Sequence, residues 1–132
     1  MKAKAKFTLF LAMAMLTALS LSAQKLEDMA GTWVGKVTAA GENDNEFTLV
    51  LELKNGKLAG KMSDQFGAMK ETPVEDISLE KGVFSFSGNV QVHGGGAVKF
   101  KFKMNVAGDS MEGQLLIPDK GWTATWKATK QK

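Results

Sequence analysis

Few side chains in this chain are equipped for chemistry. It carries one histidine, His93, and no cysteine, tyrosine or arginine. One imidazole and no thiol leave no ligand set for a zinc site. His93 precedes Gly94-Gly95-Gly96, the setting of a solvent-facing turn rather than of a base held against a substrate. The stretch Gly41-Glu42-Asn43-Asp44-Asn45-Glu46 offers oxygen ligands of the kind calcium takes, but not the spacing of a calcium loop, and reads as a solvated turn. Serine, histidine and carboxylate are nowhere grouped as a nucleophile motif. The chain therefore reads as a non-enzyme, with no catalytic residue, no metal ligand and no cofactor.

Charge narrows the partners. The chain has 17 basic residues, all lysine, against 14 acids. Lys2, Lys4 and Lys6 precede an apolar run over 7–21, and Ser20-Leu21-Ser22-Ala23 offers small residues for cleavage. Residues 1–23 are thus expected to be a secretory signal peptide, with 24–132 forming one barrel domain. The apolar run is shorter than the ~20 residues that span a bilayer, so no stable membrane insertion is expected after processing. Without the three leading lysines, the remaining basic and acidic residues balance. No basic face remains to attract nucleic acid. The absence of arginine removes the bidentate clamp for phosphate or carboxylate. An exported domain without disulfides must be held by its core, and without cysteine it has no site for lipid attachment at a mature N-terminus. The expected destination is the periplasm or the extracellular space.

What positions any site is a set of strands. Apolar and polar residues alternate with period two over 32–39, 46–54, 57–63, 73–80, 83–92, 97–106, 110–117 and 121–129. Val98, Phe100, Phe102, Met104 and Val106 alternate with Lys99, Lys101, Lys103 and Asn105, the lysines being a solvated face. The fourth segment, with Val74, Ile77 and Leu79, slips in phase and predicts a bulge. Asn55-Gly56, Lys81-Gly82 and Ala107-Gly108-Asp109 are hairpin turns. Sequential hairpins predict an all-β fold, an eight-stranded antiparallel up-and-down barrel, because closure removes exposed edges. The inward pattern also repeats at an offset of 53: Trp33, Gly35 and Val37 fall on Phe86, Gly88 and Val90.

In a meander, alternate loops share an end. The tight turns gather at one end, joined by Leu26-Glu27-Asp28-Met29, which would lay one helical turn across the barrel bottom. The longer connections 40–45, 64–72, 93–96 and 118–120 gather at the other, which is the expected mouth. A guest there would meet Val37, Phe47, Met62, Val92, Phe100, Ile117 and Trp122, with Phe66 and Met69 nearby on the loop 64–72. Phe66 and Met69 would form either a lid or ordinary packing on the rim. Gly35, Gly60, Gly88 and Gly113 sit at inward parity. They would either let the strands coil and admit facing rings or leave a dry central cavity.

Gly31-Thr32-Trp33 resembles the first-strand Gly-x-Trp motif of the calycins: lipocalins, fatty-acid-binding proteins and avidins. The string Gly121-Trp122-Thr123-Ala124-Thr125-Trp126-Lys127 is similar to the last strand of avidin-like proteins. The resemblance implies that Trp33 packs at the closed end and that the lumen takes small molecules. Lipocalins set a basic residue, usually arginine, from the last strand against that tryptophan; here the choice is Lys127 or Lys130. The polar groups with which avidins hold biotin are missing, as is the arginine with which fatty-acid binders clamp a carboxylate. The expected function is an exported lipocalin-like barrel binding a small apolar molecule. The competing expectation is a ligand-free barrel acting through its loops on a protein partner, as an inhibitor or interaction module of the cell envelope.

Overall fold

The computed structural model describes residues 25–41, 44–91 and 96–132. The expected signal peptide, Glu42 and Asn43 of the acidic stretch, Val92 and His93 lie outside the described residues. Eight strands follow one another: β1 (Gly31–Thr38), β2 (Asn45–Lys54), β3 (Lys57–Asp64), β4 (Thr72–Glu80), β5 (Val83–Gln91), β6 (Ala97–Ala107), β7 (Ser110–Ile117) and β8 (Trp122–Lys130). Each pairs antiparallel with its chain neighbour, and β8 returns to β1 to close the barrel. Two hairpins turn as their residues predict, with Asn55 and Gly56, then Lys81 and Gly82, all at positive φ. That is the type I′ pattern, whose hand matches the twist of the strands it joins.

The 53-residue repeat is carried into strand register. Gly35 opposite Phe47 recurs as Gly88 opposite Phe100, and Leu51 opposite Gly60 recurs as Met104 opposite Gly113. The two halves part company in β4, where the register against β5 shifts between Glu75 and Ser78. Asp76 sits in this bulge with φ 54°, a conformation that Asp tolerates better than most residues. Its carboxylate accepts a bond from the hydroxyl of buried Ser87 at 3.1 Å. The bulge expected in the fourth strand is therefore present, with its own buried polar partner.

The inward residues make the core and the outward ones face solvent. Lys99, Lys101 and Lys103 are exposed while Val98, Phe100, Phe102 and Met104 are buried. This is the reverse of a membrane-spanning barrel, which turns its apolar band outward. Among the described residues no helix is long and apolar enough to cross a membrane. Leu53, at inward parity but beside the Asn55-Gly56 turn, is 47% exposed, because the strand has run past the end of the core.

The inward glycines are filled, not empty. A Cβ on Gly35 would land on the Lys127 carbonyl of β8, and one on Gly113 on the Lys103 carbonyl of β6. At Gly88 the tip of the Phe100 ring occupies the space, and at Gly60 methyl groups of Leu51 and Val74 do so. Of the two readings of these positions, the structure supports coiling of strands and close approach of neighbours. It opposes a central cavity.

The closed end is sealed by the chain's own approach. Leu26–Met29 forms a single 3-10 turn, with Asp28 accepting the Lys25 amide at 2.9 Å. Met29 is wholly buried, and Leu26 packs against the core cluster. The Trp33 indole donates to the Met29 carbonyl at 2.9 Å.

The glycine geometry yields an ordered stability prediction. Gly35→Ala lands on backbone that has nowhere to move and is expected to cost ~3 kcal/mol, whereas Gly60→Ala presses mainly on methyl groups, with the Val50 carbonyl farther off at 3.3 Å, and is expected to cost ~1 kcal/mol. Urea unfolding midpoints at constant slope measure the difference. Equal losses at the two positions would contradict the geometry.

Candidate ligand-binding site at the barrel mouth

Phe102 organises the interior. Its ring stacks on Phe86 at 4.7 Å between centroids and meets Trp126 at 5.2 Å, Phe100 at 5.8 Å and Phe47 at 6.3 Å, each of the last three edge-on. Offset and edge-on pairs of this kind suit the ring quadrupole. The Trp126 indole donates to the Gly35 carbonyl at 2.9 Å, so its one polar atom is satisfied within the wall. An eight-stranded barrel is just wide enough for its own side chains to fill. Here they fill its middle.

Space remains at the mouth, a cavity of about 150 Å3. Five expected site residues line it: Phe47, Met69, Phe100, Ile117 and Trp122. Met69 folds inward to become buried, while Phe66 stays 66% exposed and does not line the cavity. The loop 64–72 thus splits the pair that the sequence left together: Met69 packs on the rim and Phe66 points to solvent. Val37 and Met62 are buried in the core without lining the cavity, and Val92 lies outside the described residues. A larger hollow of about 250 Å3 lies at the base beside Leu26, Leu58, Val74 and Ile77, but it is bordered by the exposed groups Lys57, Glu75 and Asp76. The mouth cavity is smaller and predominantly apolar.

Sequence reasoning missed Asn45 and Asp64, which also line the cavity. Both are at inward parity, one residue beyond the expected ends of β2 and β3. Continuing the alternation back from Phe47 and on from Met62 finds them. Asp64 is the hub of the loop. One carboxylate oxygen accepts the Met69 amide at 2.7 Å, and the other accepts Asn45 Nδ2 at 3.0 Å and the Phe66 amide at 3.3 Å. Backbone bonds from Asp64 N to Met69 O and from Gly67 N to Asp64 O close the same turn. The Asn45 Oδ1 is buried with no hydrogen-bond partner among the described residues.

At the opposite end, Lys130 answers the question left between two lysines. Its Nζ donates to the Asp28 carbonyl at 2.7 Å and lies 5.9 Å from the centre of the Trp33 ring. Lys127 points outward and pairs with Glu112 at 3.8 Å across two exposed side chains. Parity decides it: Trp122, Ala124, Trp126, Ala128 and Lys130 share the inner face of β8.

With this geometry in place, comparison with known proteins adds the scaffold. No family model matches the chain, and a search of curated proteins also returns no match. Among solved structures it is similar to a de novo designed fluorescence-activating β-barrel, with a TM-score of 0.52 and 15% sequence identity. The match covers 80% of this chain and 95% of the designed one. At that identity the likeness establishes the shared barrel and nothing about the mouth.

The hub role of Asp64 is testable. Bonds to a charged acceptor contribute roughly 1.5–3 kcal/mol each when their loss leaves donors unpaired, and less where solvent reaches them. Asp64→Ala is expected to lower stability by ~2 kcal/mol and to speed hydrogen exchange at the Met69 amide. Unchanged protection at Met69 would show that the loop is held by something else.

Proposed function

We propose that this barrel is an exported, calycin-like binding protein that takes a small apolar molecule at its mouth rather than through its full lumen. The carrying observation is the cavity of about 150 Å3 walled by Phe47, Met69, Phe100, Ile117 and Trp122. An apolar cavity of about that size holds benzene, so the reading favours guests of roughly one ring over long acyl chains or a haem. Export is supported by the basic and apolar leader. The calycin reading is supported by Trp33 at the closed end with Lys130, a last-strand base, set against its ring. The designed barrel contributes only the scaffold to this reading. Binding, rather than catalysis, accords with a wall that carries one carboxylate already committed to holding its loop.

One observation favours a second reading, in which the loops engage a protein. Phe66 is a large exposed aromatic on a loop pinned by Asp64, and aromatic residues are favoured anchors at interfaces.

Tryptophan fluorescence separates the two. Trp33 and Trp126 are fully buried, whereas Trp122 is half-buried at the cavity wall. Titration with single-ring hydrocarbons is expected to shift or quench emission, and Trp122→Phe is expected to remove most of that response. Ala68→Phe, on the exposed loop beside the cavity, is expected to block binding without loss of stability. Silence toward single-ring guests, retinoids, fatty acids and haem alike would overturn the small-molecule reading and leave the loop surface around Phe66.

A further inference from the structure

The mouth holds a recess the size of one ring and, on its rim, a ring that the recess does not receive. Phe66 is 66% exposed, more than any other large apolar side chain among the described residues. Its loop neighbours Asp64, Ala68 and Met69 line the cavity of about 150 Å3. An apolar cavity of about that size holds benzene, which is the ring of a phenylalanine side chain. In its own chain Phe66 is kept out by the backbone. Its amide donates to the Asp64 carboxylate at 3.3 Å, the Met69 amide donates to the same carboxylate at 2.7 Å, and Gly67 N donates to Asp64 O at 3.3 Å. Swinging the ring into its own mouth would break this turn.

We infer that a second copy of this chain supplies the ring: two barrels meet mouth to mouth about a two-fold axis, and each inserts Phe66 into the cavity of the other. A knob and a hole side by side on one rim are what such a contact uses, because each surface then serves as its own complement. The inference deepens the mouth site proposed above and rests on that cavity, not on its taking a free small molecule. Charge favours the pairing. The rim loops carry exposed groups of both signs, Lys70 with Glu71 and Asp119 with Lys120, so identical rims set opposite charges against each other. Area sets its strength. A phenylalanine side chain buries about 200 Å2, so the exposed two thirds of Phe66 has about 130 Å2 left to bury. Two rings and the walls they cover bring roughly 500 Å2 into contact, well below the ~1,200 Å2 of a stable interface. The pair is therefore weak, forms as concentration rises, and yields to a free single-ring guest.

Sedimentation equilibrium of the full mature protein is expected to show a reversible monomer–dimer equilibrium. In a sample mixed from isotope-labelled and unlabelled protein, filtered nuclear Overhauser spectra are expected to connect Phe66 of one copy with Trp122 and Phe47 of the other. Phe66→Ser is expected to weaken dimerisation at least tenfold, as loss of an aromatic anchor does, and to leave the urea midpoint unchanged because the side chain is exposed in the monomer. Toluene is expected to shift the unmutated protein toward monomer. A protein that stays monomeric to about 1 mM would overturn the inference, whether Phe66 then lies over its own mouth or remains free for a different protein. A dimer indifferent to Phe66→Ser would overturn it as well, as would toluene that binds the unmutated protein and leaves the dimer intact. Toluene without effect on the Trp122 emission of the Phe66→Ser monomer would remove the small-molecule reading alone; the contacts between copies would still support the exchange of rings.

Discussion

The packing of Phe102 against Phe86, Phe100, Phe47 and Trp126 is the contact on which the rest depends. Close-packed interiors leave few voids larger than a water molecule, and a barrel of eight strands has little width to spare. Once these rings occupy the centre, no guest passes through it. The Trp126 indole ties that cluster to the wall through Gly35, where β8 comes too near β1 for any side chain. The same closeness that lets the barrel close thus forces the rings together. A predominantly apolar cavity is left at the end where the strands run into longer loops.

The two ends divide the work of a barrel between them. At the base, Met29 fills the opening, Trp33 bonds to its carbonyl and Lys130 lies across the ring while bonding to Asp28. A lysine over an indole contributes roughly 0.5–1 kcal/mol when exposed, so the seal comes mostly from burial of Met29 and Trp33. Stability can therefore be concentrated in the centre and base. The mouth is left to carry the polar groups Asn45 and Asp64, which a tight core would not tolerate unpaired. A chain without disulfides has no other place to anchor itself.

Alternation made the barrel legible in the sequence. Val98 to Val106, with its intervening lysines, fixes one face without ambiguity, and Asn55-Gly56 and Lys81-Gly82 fix the hairpins. The phase slip through Ile77 marked the bulge, though not that Asp76 would bind Ser87 there. The filling of the centre was less legible, because an inward glycine reads alike whether a ring or a void stands opposite. Gly88 is occupied by the tip of Phe100 and Gly113 by the backbone of β6, facts of coiling that period-two patterns do not contain. Residues 64–72 were hardest. Phe66 and Met69 are similar in apolarity, and only the bonds to Asp64 decide that Met69 turns in and Phe66 out.

The internal repeat sharpens what is particular about the mouth. Strand register matches between the halves at Gly35 and Gly88 and at Gly60 and Gly113, so equivalent positions have equivalent places in the wall. At the 53-residue offset Asn45 falls on Val98 and Asp64 on Ile117. One half therefore presents an amide and a carboxylate where the other presents two aliphatic side chains. Barrel closure does not demand this, since Val98 and Ile117 satisfy the same wall positions without polar atoms. Nor does stability favour it in any simple way. Asn45 Oδ1 is buried without a partner among the described residues, and such an atom costs roughly 1–3 kcal/mol. Part of the cost is offset by Asp64 holding the loop, which explains the carboxylate and Asn45 Nδ2. It does not explain Oδ1. The half of the repeating frame that departs from its counterpart thus gains a pinned loop and keeps one amide oxygen buried without a partner among the described residues.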